Sequence, residues 1–331
     1  MTASLKVAIV GCGLIGRKRA AALGSDDLLA CFDTDPAAAG ALAEEHGAEV
    51  PAELGPLLSL DLDVVIVATP HDQLAPIAIS ALEAGAHVLV EKPAGLGVRD
   101  VDAIGAAADS AGRRVKVGFN HRFAPGIERA VTEAHSGRFG EVMFARARYG
   151  HGGRLDYEQE WRLRPEISGG GELVDQGMHL IDLFHWLLGP LPLHSTLMRT
   201  HFWEAPVEDN VIFTLAQPGR SAPWASAHVS WTEWKNMFSL EIYCRTGKLQ
   251  VDGLARSYGP QRLTIHAMNP ELGPPNTEVV EYPEEDASWE REWAHFHGAL
   301  MASDDRELLG DIEAARYAWT IVEEAYVRER E

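Results

Sequence analysis

Lys6-Val7-Ala8-Ile9-Val10-Gly11-Cys12-Gly13-Leu14-Ile15-Gly16 is a short β-branched run that breaks into glycines where a helical pattern begins. It reads as a strand, a tight turn and a helix start, with an Ala-rich stretch from Arg17 to Leu23 continuing the helix. Three spaced glycines alone say little in a chain with 31 of them. Their setting says more, because Asp33 ends the next apolar run, Leu28-Leu29-Ala30-Cys31-Phe32. Strand, glycine turn, helix, strand and acid are together the parts of a dinucleotide-binding fingerprint. Gly11 would let the chain turn sharply, Gly13 would let the backbone of Leu14 and Ile15 approach a pyrophosphate, and Gly16 would let the helix lie close on the strand. The free N–H groups and positive dipole end of that helix then face the phosphates. Asp33 is placed to accept hydrogen bonds from both ribose hydroxyls and to repel a 2′-phosphate, which favours NAD over NADP.

A chain of 331 residues with 46% hydrophobic content suits two domains. Its 49 acidic against 29 basic side chains give a net charge of −20, which disfavours nucleic acid and anionic membranes as partners. Cys12, Cys31 and Cys244 are odd in number and widely spaced, the pattern of reduced structural thiols in a cytoplasm. Apolar runs such as Val64 to Ala68 fall far short of the ~20 residues a membrane helix needs, and no export signal opens the chain. A soluble cytoplasmic protein is expected.

From residue 5 to about 120, short β-branched runs alternate with Ala-rich helical ones, as in a parallel sheet with crossover helices. Strands are expected at 5–10, 28–33, 63–68, 87–90 and 115–119, and helices at 14–23, 35–46, 73–84 and 98–110. Thr69-Pro70-His71 and Glu91-Lys92-Pro93 follow the third and fourth strands, at the carboxyl ends where ligands bind in open α/β sheets. The texture then changes, so a dinucleotide-binding domain is expected over 1–122 and a substrate domain over 123–331. The latter should hold a helix near 125–136, a strand at 141–150, a long helix from Glu172 to Leu188 stopped by Gly189-Pro190, a hairpin at Tyr243–Leu249, and helices at 287–302 and 311–328. The fold class is α/β: a doubly wound Rossmann sheet followed by an α+β domain on a large, mostly antiparallel open sheet.

Two constellations could carry chemistry. At 100° per residue, Asp175, His179, Asp182 and Trp186 fall within an arc of roughly 60° on the helix 172–188, beside the apolar face of Leu180, Leu183, Phe184 and Leu187. A histidine one turn from a carboxylate suits proton transfer, although an Asp–His pair on the surface would give the same pattern. A metal site from Asp175, His179 and His185 is disfavoured, because His185 points away. Lys92, fixed between a carboxylate and a proline, could polarise a hydroxyl or simply cap the sheet.

Taken in order, Gly11 to Gly16, Asp33, Ala68-Thr69-Pro70-His71, Val88 to Pro93, Gly118-Phe119-Asn120-His121-Arg122-Phe123 and Asp175-Gln176-Gly177-Met178-His179-Leu180-Ile181-Asp182 resemble the glucose–fructose oxidoreductase / inositol 2-dehydrogenase (Gfo/Idh/MocA) family over nearly the whole chain. The resemblance implies a substrate pocket between the domains and a sheet that forms a homodimer or homotetramer. It makes His179 the general acid/base, Lys92 the group that stabilises the substrate oxygen, and Asp175 an orienting residue. It also implies that Thr69, Pro70, His71, Glu91, Lys92 and Asn120 line the cofactor, that Asn120 and Arg122 lie beside the substrate, and that Lys92–Pro93 is cis. One departure is visible: Leu74 stands where family members often carry histidine.

Tyr149, His151, Arg154, Tyr157, Trp161, Arg162 and Arg164 offer stacking faces and bidentate donors just before the long helix. A sugar or polyol, free or nucleotide-linked, would suit them, unless the arginines pair with Asp156, Glu158, Glu160 and Glu166 of the same loop. An NAD-dependent dehydrogenase acting on such a substrate is expected. An NAD-using glycosidase and a non-catalytic NAD-binding regulator are the alternatives.

Overall fold

The computed structural model describes residues 4–302 and 308–330. The chain divides into two compact units, one of residues 1–120 with 289–316 and one of residues 121–288 with 317–331.

The first unit follows the alternation of its sequence. Strands β1 (Lys6–Val10), β2 (Asp27–Phe32), β3 (Val64–Val67), β4 (His87–Val90) and β5 (Val115–Val117) form a parallel sheet in the order β2-β1-β3-β4-β5. Helices α1 (Leu14–Ala21), α2 (Pro36–His46), α3 (Leu54–Leu58), α4 (His71–Glu83) and α5 (Val98–Ala111) are interleaved with them. Strand β3 is buried at all four positions, which is why it reads as an unbroken apolar run. The strand order reverses between β1 and β3, so the turns after these two strands open into the crevice where such sheets bind ligands. The short α3 falls between the expected helix at 35–46 and the expected strand at 63–68.

The division of the sequence at residue 122 is corrected at the C-terminal side. Helix α9 (Ser288–Met301) sends Trp293, Phe296 and Ala299 into the same core as Val7, Ile9, Ile66 and Leu89 of the parallel sheet. Asp26 ties it down further, accepting from Trp293 Nε1 at 2.8 Å and contacting His297 Nδ1 at 2.8 Å. A helix that buries its apolar face against the first sheet belongs to it, whatever its place in the chain.

The second unit carries α6 (Pro125–His135), the strand β6 (Val142–Gly150), the single turn α7 (Pro165–Ser168), α8 (Met178–Leu188), the strands β7 (Leu193–Arg199), β8 (Asn210–Ala216), β9 (Trp224–Ser230), β10 (Met237–Cys244), β11 (Gly247–Asp252), β12 (Arg262–Ala267) and β13 (Asn276–Glu281), and most of α10 (Ile312–Arg330). The eight strands run β13-β12-β11-β10-β6-β9-β8-β7, antiparallel except where β6 meets β9. The hairpin of β10 and β11 turns on Arg245-Thr246, within the expected stretch. Helix α6 covers β10 to β12 and α8 covers β6 and β9, which accounts for the strict alternation of burial along β10.

One local difference matters for the site. The helix expected from Glu172 starts instead with a π-helical turn, Leu173–Gly177, and becomes α-helical only at Met178. The 100° arc therefore fails across the junction, because a π turn advances less per residue. Cys12, Cys31 and Cys244 are buried, free thiols, and no helix among the described residues is long and apolar enough to cross a membrane.

Candidate functional site

In the first unit the glycine turn is built by the removal of side chains. Gly11 has φ +96°, and a Cβ there would overlap the Ala68 carbonyl at the end of β3. A Cβ on Gly16 would overlap the Gly11 carbonyl, so the helix lies on the turn with no room to spare. Gly13 differs: nothing stands within 4 Å of where its Cβ would be. It caps α1 with extended backbone and no side-chain hydrogen bond, and Leu14 behind it is 72% exposed. Of the three turn glycines, Gly13 is the one whose added Cβ would meet nothing, and it stands at the N-terminal end of α1, where helix amides lack partners within the helix.

Asp33 is fixed in place. Its Oδ2 accepts from Cys12 N–H at 2.7 Å and its Oδ1 from Asp35 N–H at 2.9 Å, which ties the end of β2 to the glycine turn. Each oxygen keeps a lone pair for a further donor. On the other side of the turn, Thr69 has a buried hydroxyl oxygen with no hydrogen-bond partner among the described residues, Pro70 is exposed and His71 begins α4. Open amides, an anchored carboxylate and an unsatisfied hydroxyl fit a dinucleotide. Leu74, at the departure from the family pattern, is fully buried.

Glu91 has another occupation. Arg19 donates to it through Nε at 2.6 Å, and the same guanidinium donates through Nη1 to Glu292 of α9 at 2.6 Å. Glu292 also pairs with Lys116 of β5 at 2.8 Å, and all four groups are buried. Burial pushes the Glu292 carboxyl up, but Lys116 and Arg19 outweigh it and hold it below the ordinary carboxylate range. The Glu91 side chain, expected beside the cofactor, is bonded to Arg19 in this network. Lys92 itself is half-buried, and the Lys92–Pro93 peptide is cis.

In the second unit the site is built by dense side chains. His179, on the first turn of α8, is 6% exposed, so the surface Asp–His pair does not exist. Asp182 is 1% exposed and grips Arg122 by two hydrogen bonds, from Nε at 2.8 Å and Nη2 at 2.6 Å, while the Arg122 guanidinium lies over Trp186. Arg122, expected at the substrate, is buried and joins its turn to α8 through Asp182.

That clamp brings up a residue that sequence reasoning left out of the site. The His121 ring stacks on His179 with centroids 3.9 Å apart and planes 14° from parallel. Tyr149 of β6 leans on both rings, and Phe238 of β10 backs His121. Burial raises the Tyr149 phenol well above its ordinary value, next to Tyr258, whose own hydroxyl accepts from Gln176 Nε2 at 2.9 Å.

The loop after β6 completes the wall. Arg154 and Arg162 both pair with Glu160, the latter at 3.1 Å, and Arg162 Nε lies 3.8 Å from Asp175. Burial works against the Arg162 charge, but Asp175 holds it on. Trp161 stacks under the Arg162 guanidinium, whereas Arg164 is exposed. His151 accepts from Gly153 N–H at 2.9 Å, faces Tyr157 edge-on, and is held below the ordinary histidine value by burial. Among the described residues no group of histidine, cysteine and acidic side chains is arranged to hold a metal, and His185 stacks on Tyr317.

A glycine turn with an anchored acid, followed by an eight-stranded sheet whose helix carries a buried histidine, defines an NAD-binding oxidoreductase fold. Residues 5–119 match the oxidoreductase family with an NAD-binding Rossmann fold, and residues 128–250 match the GFO/IDH/MocA C-terminal domain. The chain belongs to the Gfo/Idh/MocA family. It is 32% identical over 200 residues to the D-glucoside 3-dehydrogenase of Escherichia coli strain K12, covering 57% of this chain and 56% of that protein. It is 30% identical over 198 residues to the inositol 2-dehydrogenase of Rhizobium meliloti strain 1021, covering 58% of each. The chain thus spans about half the length of the curated relatives it matches. The crystal structure of GenD2 from gentamicin A biosynthesis, in complex with NAD, superposes with a TM-score of 0.83 at 25% identity, covering 100% of this chain and 96% of that one.

Proposed function

We propose that the protein is an NAD-dependent dehydrogenase that oxidises a secondary alcohol of an uncharged sugar or polyol, or reduces the matching ketone. The observation that carries this reading is the buried His179 at the start of α8, held between aromatic rings just after the π turn that bears Asp175. A histidine so enclosed can take a hydroxyl proton where water does not compete for it. Lys92 hydrogen-bonds the same substrate oxygen and stabilises the negative charge that develops there. Asp175 orients the substrate or the imidazole. The amides behind Gly13 hold the pyrophosphate and Asp33 the ribose hydroxyls, its charge disfavouring NADP. When bound, the nicotinamide supplies a two-electron hydride acceptor or donor.

An uncharged substrate is favoured because Arg154 and Arg162 are already neutralised by Glu160 and Asp175. A phosphate or nucleotide would need those donors free. Tyr149, His151 and Trp161 leave faces and edges suited to a sugar ring. Self-association is part of the same reading. On one face of the large sheet Phe144 stacks between Trp224 and Tyr243, and Ile212 and Val279 on that face are 49% and 53% exposed. A homodimer or homotetramer would bury them; monomers on a calibrated light-scattering measurement would remove this element.

Activity is tested by screening free sugars, glycosides, inositols and nucleotide-linked sugars for NADH production. Accumulation of NADH with free sugars or polyols is the expected result and separates a dehydrogenase from a glycosidase that regenerates its cofactor. Turnover of nucleotide-linked sugars alone would overturn the uncharged-substrate reading. Lys92→Ala and His179→Ala should each abolish turnover with NAD affinity nearly intact, and normal activity in both would sink the mechanism.

A further inference from the structure

We infer that His121 is a positioning residue for His179: the two stacked imidazoles take up a single proton across the neutral range, and the stack fixes the plane of the reacting ring. This rests on the acid/base reading of His179 given above. The geometry is specific, because the rings lie 3.9 Å apart and 14° from parallel, a face-to-face arrangement in which two cations would repel strongly. Neither ring can easily leave. His121 is 8% exposed, with Tyr149 at 5.2 Å and Phe238 at 6.1 Å between centroids. Its neighbour Arg122 is bonded to Asp182, three residues beyond His179 on α8, so the turn that carries one imidazole is fastened to the helix that carries the other.

Charged and titratable groups from several elements of this unit act on Tyr149, which leans on both rings. Asp175 and Glu172 come from the start of the helix, Tyr149 from β6 and Tyr258 from the turn before β12, and the Arg122–Asp182 pair is neutral overall. Asp175 and Glu172 favour placing one proton on the pair, against the burial of both rings and the Lys92 cation that the proposed reaction sets on the same substrate oxygen. The stack opposes a second. As pH falls, part of the population therefore keeps His179 neutral and able to act as a base, because the proton resides on His121.

The test uses the full-length protein with NAD and whichever polyol the screen identifies. His121→Phe retains a flat ring but removes the second proton site, so the His179 cation is no longer repelled and meets an aromatic face. Its acid limb of kcat/KM should move to higher pH by roughly half a unit or more and steepen. His121→Ala should lower kcat by about tenfold with the KM for NAD unchanged, and His121→Phe should recover most of that loss. A His121→Phe profile that overlays the wild type, with His179→Ala inactive, overturns the inference alone. Normal turnover by His179→Ala overturns the acid/base reading and this inference with it. Imidazole NMR of the wild-type protein gives a check that needs no variant at His121: one proton is expected on the pair between pH 8 and 5, and two independent full titrations would refute it.

Discussion

The glycine turn of the first unit and the start of α8 in the second, the two places to which the proposed function assigns cofactor and proton transfer, are built in opposite ways. At Gly11 and Gly16 a single added carbon would collide with backbone. At His179 the surroundings are full: His121, Tyr149, Phe238, and the Arg122–Asp182 pair locking its turn to the helix. In the proposed function the first turn brings bare backbone up to a ligand. The second works by holding one side chain still, which takes partners from several elements.

If the second region depends on packed charge, its largest vulnerability is the clamp. Asp182→Asn leaves Arg122 charged and buried without its ion partner and should cost ~3–5 kcal/mol of stability in urea unfolding. Replacing both partners, as in Arg122→Met with Asp182→Leu, should return most of that loss while the His121–His179 stack loosens and kcat falls. A mild effect of Asp182→Asn would mean that apolar packing, and not the ion pair, holds this region.

In the first region the glycines should separate by role. Gly16→Ala should destabilise by ~1–3 kcal/mol, because its Cβ must displace the Gly11 carbonyl. Gly13→Ala has φ −70° and open space, so its melting temperature should match the wild type while NAD affinity, measured by calorimetry, drops by about tenfold. Equal loss of stability in both variants would show that Gly13 serves the fold and not a ligand.

The smallest effect lies away from both sites and calibrates them. His87 accepts from Arg114 N–H at 2.9 Å and is held below its ordinary value by burial, then by Arg113 and Arg114. It takes up a proton at lower pH in the folded chain than in the unfolded chain, where the ordinary histidine value is ~6.5. Stability should therefore decline as pH falls through that range, and His87→Gln should flatten the decline slightly. A melting temperature independent of pH between 7.5 and 5.5 would contradict this.

Much of the first unit was legible because its signals are local. Strand, turn, helix and acid lie within Lys6 to Asp33, and Gly16 is required by Gly11 only five residues away, although Gly11 is required by Ala68 of a later strand. Lys116 shows a weaker kind of legibility. A lysine inside the run Val115-Lys116-Val117 demands a buried acid, but nothing in the sequence says that Glu292 is that acid. The π turn at Leu173–Gly177 and the burial of Asp182 were hidden by the assumption of one regular helix.

By itself, then, the sequence determined a parallel dinucleotide fold with its glycine turn and Asp33, and it singled out Lys92 and His179 through short motifs. Only the tertiary structure decided that residues 289–316 complete the first unit, that Arg122 and Glu91 are bonded to Asp182 and Arg19, that Arg154 and Arg162 are neutralised within their own loop, and that His121 lies flat against His179. The physical reason is range. Turns and periodicity are set by residues a few positions apart, whereas buried charge and ring stacking depend on partners such as Arg122 and Asp182, 60 positions apart, that meet only once the sheet has formed.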